Sequence, residues 1–238
     1  LLKRLSEAVR DGDGIYALIL GHGQSSDGKG RGITAPNPEG QQRAIERAWQ
    51  AAGKSLSQAG YLEAHGTGTR VGDEIELIAA AGLLKKSGYR GNRIPIGSVK
   101  ATFGHLKAAA GIAGLMKGVW SVHQRMILPQ PNWERFPESW AISDLPFEVM
   151  VEPRAFAGEE FLVGVSSFGF GGTNHHLVIS EPPKNMRKNK QFPVPAVMAK
   201  PLPTCVGAGA ESPKVALVFP GQGSQYPGMA EHWRAEPE

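Results

Sequence analysis

Cysteine is nearly absent: the 238-residue chain has one, Cys205. A lone cysteine excludes an internal disulfide framework and fits a reducing, cytoplasmic setting. There is no Cys-x-x-Cys pair, and none of the seven histidines has His-Glu-x-x-His spacing, so neither common zinc pattern is encoded. Charge of one sign is also scarce. Lys and Arg number 26 against 22 Asp and Glu, and a net +4 is too small to argue for nucleic acid. Long apolar runs are missing as well. The nearest approach to a membrane span, Gly104 to Val122, is uninterrupted only from Ala108 to Met116, with Lys107 and Lys117 at its flanks. A bilayer needs roughly 20 apolar residues, so a buried helix is expected instead. The opening LLKRLSEAVRDGDG carries acids throughout, unlike a signal peptide, and lacks an initiating Met, so the chain reads as a piece of something longer.

What is present has the balance of a soluble globular protein, 41% hydrophobic and 20% charged. Leu1, Leu2, Leu5, Ala8 and Val9 share a helical face, stopped by the Asp-Gly turns at 11–14. IYALILG (15–21) reads as a buried strand before the polar, glycine-rich SSDGKGRG. Asn37 and Pro38 suit an N-cap and first helical residue, Ala44, Ile45, Ala48, Trp49 and Ala52 form the stripe, and Gly53 is the stop. The pattern then repeats. YLEAH (61–65) is a short strand, Asp73 and Glu76 have capping-box spacing for a second helix, and Gly88 ends it. PIGSV (95–99) is the next strand, followed by a helix from about 104 to 125 with Gly111, Gly114 and Gly118 on one face. Each interior glycine costs a helix about 1 kcal/mol, so close packing against that face is expected. FLVGVSSF (161–168) and HHLVISE (175–181) are further strands around a glycine hairpin. Strands alternating with helices predict a layered α/β architecture.

After Glu181 the texture changes. Residues 182–213 carry seven prolines, a basic cluster and no periodicity, which reads as a proline-stiffened linker at 183–213. VALVFPGQGSQYPGM (215–229) then restarts as a hydrophobic strand delivering a Gly-Gln-Gly loop, within an incomplete segment at 214–238.

Three glycine-framed loops each follow a strand: EAHGTGT (63–69), SVKATFGHLKAAAG (98–111) and VSSFGFGGTNHH (165–176). Strand ends are where sites collect in α/β proteins, and two of these loops carry a histidine there, His65 and His105. Neutral imidazole can donate a hydrogen bond to a developing oxyanion or enolate, and Lys100 stands near His105 to set the local charge. Taken singly, each signal has a plainer reading. A histidine at a strand end is more often structural than catalytic, and GTGT serves many turns. GFGGTN looks like a nucleotide loop but lacks both Walker and dinucleotide spacing. His175 and His176 are adjacent, so on a strand they face opposite ways and cannot share a metal.

The order of these loops, supported by DGKGRGITAPNPEGQQ (27–42), resembles the C-terminal half of the type I β-ketoacyl synthases over about residues 1–182. PGQGSQYPGM resembles the opening of the malonyl/acyl-transferase domain that follows such synthases in modular polyketide or fatty-acid enzymes. The resemblance implies a thiolase-like α-β-α-β-α fold, of which this would be the C-terminal half, plus a linker and the first strand of an acyltransferase. It implies decarboxylative Claisen condensation of a malonyl-type extender, held on an acyl carrier protein by its phosphopantetheine arm, with an enzyme-bound acyl thioester. His65 and His105 match the two active-site histidines and Lys100 the active-site lysine. Thr67 and Thr69 match residues that hydrogen-bond the phosphopantetheine, Phe170 the gate beside the acyl pocket, and Gln222 the glutamine next to the transferase oxyanion hole. No metal and no directly bound cofactor is implied; a homodimer is. The nucleophilic-cysteine motif and the transferase serine motif are both missing here, and Cys205 among the prolines is not assigned as nucleophile, so the chain alone is expected to be inactive. Thr102 stands where the family usually has Asn, and Phe103 where an aliphatic is common. The alternatives are a non-catalytic condensing-like scaffold, which has no need of the His65, His105 and Lys100 trio, and a thiolase, which would need a second cysteine near 166–176.

Overall fold

The computed structural model describes residues 1–28, 32, 35–137, 140, 145–183 and 186. The chain divides into two units, Leu1–Arg187 and Lys188–Glu238, and every described residue lies in the first. Gln222, Cys205, the expected acyltransferase opening and nearly all of the expected linker therefore lie outside the described residues.

The N-terminal helix is shorter and less buried than its pattern predicts. It spans Leu5–Arg10 (α1) and buries only Ala8, while Leu1, Leu2, Leu5 and Val9 stay exposed. The first strand, β1, also differs, running over Leu18–Ser26 into the stretch read as a loop. It is half exposed because it lies at the sheet edge, with one neighbour. Its glycines explain the shift: a Cβ on Gly21 or Gly23 would collide with the backbone oxygen of Ala48 or Ala44, so the following helix lies directly on this strand. That helix, α2 (Pro38–Ala51), starts as predicted, with Asn37 Oδ1 accepting from Glu39 N–H at 3.0 Å, and buries Ala44, Ile45, Ala48 and Trp49.

β2 (Tyr61–Glu63) is buried throughout. α3 (Arg70–Lys86) follows Thr69, so Asp73 and Glu76 sit inside its first turns and not at a capping box. β3 (Ile94–Gly97) leads to α4, a single turn at Lys100–Phe103. The expected helix from 104 begins later, as α5 (Ala110–Gln124), because Gly104 at φ 72° and Lys107 at φ 55° turn the chain first. β4 (Met126–Ile127) pairs antiparallel with β6 (Arg154–Ala155), and β5 (Phe147–Glu148) extends the main sheet. β7 (Leu162–Phe168) and β8 (Thr173–Ser180) form the glycine hairpin in register Val163 to Ile179.

The main sheet has the order β1-β8-β7-β2-β3-β5. Its first three strands are antiparallel, and β7, β2, β3 and β5 run parallel. Alternation splits the core between the faces. Leu62, Leu162 and Val178 join Ile45, Trp49, Leu77 and Leu84 of α2 and α3 on one side. Tyr61, Val163, Val165 and Ile179 pack beneath α5 on the other. The α5 glycines make that approach possible: a Cβ on Gly118 would stand 3.0 Å from Val165 and 3.1 Å from Ile179. The result is one mixed sheet with helices on both faces. Among the described residues no helix is long and apolar enough to cross a membrane.

Candidate active site

The parallel strands deliver the three loops to one end of the sheet. His65 follows the carboxyl end of β2, and Lys100 follows that of β3. The β7–β8 hairpin leaves the same edge, since β7 runs parallel to β2. The structure brings His65 and His105 together, ring centroids 5.7 Å apart and planes at 87°.

One buried and one half-buried carboxylate shape the His65 loop. Glu76, 6% exposed on α3, accepts from His65 N–H at 2.8 Å and from Gly66 N–H at 2.9 Å, while Asp73 accepts from Gly68 N–H at 3.2 Å. Burial raises both acids, Glu76 to about 7, although the two amide hydrogen bonds and the Lys100 charge pull the other way. These contacts are what the supposed capping box does instead: the carboxylates hold a loop of the preceding strand.

His65 is pushed down to about 3, first by burial and then by the charges of Lys100 and His105. Its Nδ1 is buried with no hydrogen-bond partner among the described residues. His105 is lowered too, by desolvation and then by Lys100 and Lys107. Its Nδ1 accepts from Lys107 N–H at 3.0 Å, which leaves its proton on Nε2 as a donor. Lys100 is lowered chiefly by desolvation, against the raising influence of Glu76, Glu63 and Asp73. At neutral pH the site therefore presents two uncharged imidazoles beside a partly desolvated lysine, an arrangement suited to donating hydrogen bonds to a developing negative oxygen.

Thr67 and Thr69 bring their hydroxyls within 3.0 Å of each other on the rim. Phe170 stands at the hairpin tip, 71% exposed, and it is Phe168 that packs against His65, with centroids 5.8 Å apart. The hairpin is held by Asp27, whose backbone N–H donates to Gly172 C=O at 2.8 Å and whose Oδ1 accepts from Asn174 Nδ2 at 2.6 Å. A cavity of about 200 Å³ opens beside the loops, lined by Thr67, Lys100, Asp73 and Glu76 and walled by Trp133, Phe136 and Trp140. Its lining includes neither histidine. No group of three or more metal-ligating side chains occurs among the described residues.

Sequence reasoning missed Glu63, Glu76, Lys117, Gln130 and Phe168 as parts of this site. The available signal was charge inside apolar stretches: Glu63 in a short buried strand and Lys117 in the glycine-rich helix.

Comparison with known proteins places the chain in a family. The model of the β-ketoacyl synthase C-terminal domain matches residues 16–134, and that of the ketoacyl-synthetase C-terminal extension matches 137–215. A highly reducing polyketide synthase of Preussia isomera is 42% identical over 193 residues, covering 79% of this chain and 8% of the relative. A polyunsaturated fatty acid synthase from Thraustochytrium is 40% identical over 189 residues, covering 76% of this chain and 7% of the relative. The solved oxazolomycin ketosynthase domain of Streptomyces albus is 34% identical with a TM-score of 0.72, covering 76% of this chain and 32% of that one. The chain thus spans less than a tenth of the length of these two curated synthases and about a third of the solved domain.

Proposed function

Because the chain belongs to the β-ketoacyl synthase family through its C-terminal domain and has the thiolase-like ketosynthase fold, we propose that it supplies the histidine–lysine half of a condensing active site in a modular polyketide or fatty-acid synthase. The observation that carries this reading is the edge-to-face contact of two neutral imidazoles, His65 and His105, beside Lys100.

On this reading a malonyl-type extender, held on the phosphopantetheine of an acyl carrier protein, loses CO₂. The electron pair of the breaking C–C bond becomes the enolate, and its oxygen is met by His105 Nε2–H and by His65. The enolate carbon then attacks an acyl thioester on a cysteine borne outside these motifs, and that cysteine thiolate leaves. Neutral rings serve the first step better than charged ones, since the N–H of a neutral imidazole is a very weak acid and donates a hydrogen bond without surrendering its proton. Lys100 contributes positive charge near the developing anion. The paired hydroxyls of Thr67 and Thr69 would bond the phosphopantetheine, and Phe170 would gate the acyl pocket from the hairpin tip. Residues 1–182 would form the ketosynthase portion, 183–213 a linker, and 214–238 the opening of an acyltransferase with Gln222 beside its oxyanion hole. Pairing into a homodimer belongs to the same proposal.

The test is His105→Ala in the intact ketosynthase that carries this chain, following malonyl-carrier decarboxylation and condensation together. Both rates should fall by roughly 100- to 10,000-fold with acyl loading retained. An unmodified protein that neither loads acyl groups nor decarboxylates would put a scaffold in place of the enzyme.

A further inference from the structure

Beneath the turn that carries Lys100 lies a buried ionic cluster that the condensing reaction leaves unused. Glu63, at the end of β2, is 1% exposed, and its Oε2 pairs with Lys117 Nζ of α5 at 2.9 Å. Tyr61 OH donates to the same oxygen at 2.7 Å and accepts from Lys117 at 2.8 Å. Burial pushes the Tyr61 phenol well up, with the Glu63 charge adding to it, so it remains a donor. The remaining Glu63 oxygen accepts from Val99 N–H at 2.5 Å, and Gln130 Oε1 accepts from Ser98 N–H at 2.7 Å. Two successive amides of the β3–α4 turn are therefore held by side chains from outside it, immediately before Lys100.

One glycine makes room for the cluster: a Cβ on Gly97 would stand 3.0 Å from Tyr61 OH and 3.1 Å from Gln130 Oε1. Burying an ion pair is a poor way to gain stability, because desolvation offsets much of the attraction, so a pair retained here calls for another role.

We propose that Glu63 and Lys117 are positioning residues for Lys100: the buried pair holds the β3–α4 turn and sets opposed charges beneath the Lys100 ammonium. The inference rests on the reading of Lys100 as an active-site lysine only for its meaning in catalysis; the structural claim stands apart. Lys100 itself makes no ion pair among the described residues; burial is the main influence that lowers it, and the charges around it act at a distance. Glu76 and Asp73 of α3 and Glu63 of β2 favour its charged form, whereas Lys117 of α5 opposes it. Lys100 in turn acts on both histidines, so a change beneath the turn reaches the two imidazoles.

The test is the titration midpoint of Lys100, read by competitive trace acetylation across pH and mass spectrometry of its peptide, on the full chain. Glu63→Gln keeps an acceptor for Val99 N–H and removes one negative charge, so the midpoint should fall by about 0.5 to 1 pH unit. Lys117→Met should raise it by a similar amount. A pair that merely braced the fold would, when broken, loosen the site and move Lys100 upward toward an ordinary lysine in both variants, which would overturn the proposal, as would no movement in either. Should either single variant unfold around its orphaned charge, the double variant replaces charge by neutral on both sides. Its midpoint should stay within a few tenths of a unit of the unmodified chain's, and a rise to the ordinary lysine value would sink the idea. Lys100→Met, assayed for decarboxylation in the intact ketosynthase, tests the other reading separately: full activity there would remove Lys100 from the chemistry without touching the titration result.

Discussion

Two histidines, a half-buried one at the parallel end of the sheet and a fully buried one in its antiparallel ribbon, are both driven down to about 3, for different reasons. His65 owes its shift to burial with two neighbouring charges, Lys100 and His105, and its Nδ1 is left without a partner among the described residues. His176 owes its shift to burial alone. Both of its nitrogens are engaged, Nε2 accepting from Trp49 Nε1–H at 3.1 Å and Nδ1 meeting Ser166 Oγ at 3.0 Å. The depressed pKa by itself therefore does not separate a working imidazole from a structural one. The unmet nitrogen and the neighbouring Lys100 charge mark out the imidazole proposed to act in catalysis, because satisfied polar groups stabilise a core whereas a buried unsatisfied one costs stability.

The largest effect that would break this contrast is on stability. His176→Ala strips Trp49 N–H and Ser166 of their partner and opens a void, so unfolding free energy should drop by about 3 kcal/mol in denaturant titration. His65→Ala removes no satisfied side-chain bond and should cost about 1 kcal/mol or less. Equal losses from the two substitutions would erase the distinction.

A second probe compares what α5 covers on two successive turns. A Cβ on Gly118 would stand 3.0 Å from Val165 and 3.1 Å from Ile179, so Gly118→Ala should overpack and lose about 1 to 2 kcal/mol despite better helix propensity. A Cβ on Gly114 would meet Glu63 Cγ at an ordinary 3.4 Å, so Gly114→Ala should be neutral or gain up to about 1 kcal/mol. Thermal melts of the pair read the difference directly.

The most specific effect is on pH dependence. A histidine depressed from 6.5 to about 3 stabilises the fold above pH 6.5, and that stability is lost as pH falls toward 3. Glu76, raised from 4.5 to about 7, works in the opposite direction between those values, so whole-protein slopes mix the signs. The gap between the unmodified chain and His176→Ala isolates one group. It should narrow by up to about 1.4 kcal/mol per pH unit below 6.5, and a gap independent of pH would refute the assignment.

Much of the fold was legible where a residue's role is local. Asn37 and Pro38 open α2, and Gly53 and Gly88 close two helices at φ 63° and 70°, because caps depend on neighbours within one turn. The glycine face of α5 was legible for a related reason, since only a close neighbour compensates for glycine in a helix. The misreadings share a cause too. β1 was read as buried from its apolar run, but an edge position decides exposure and has no local mark. Asp73 and Glu76 have capping-box spacing, yet their carboxylates reach back to Gly68, Gly66 and His65. The three motif loops pointed to His65, His105 and Lys100, but not to the carboxylates and ammonium that set their charge.

By itself the sequence determined the alternation of strands and helices, the three glycine loops at strand ends, and through their order the ketosynthase family, since periodicity and motif spacing are written along the chain. Only the tertiary structure decided that β2 and β3 lie side by side, that the rings of His65 and His105 meet at 5.7 Å, and that Glu63 and Lys117 pair beneath Lys100. Those facts join residues tens of positions apart, and burial and Coulomb interaction depend on distance in space.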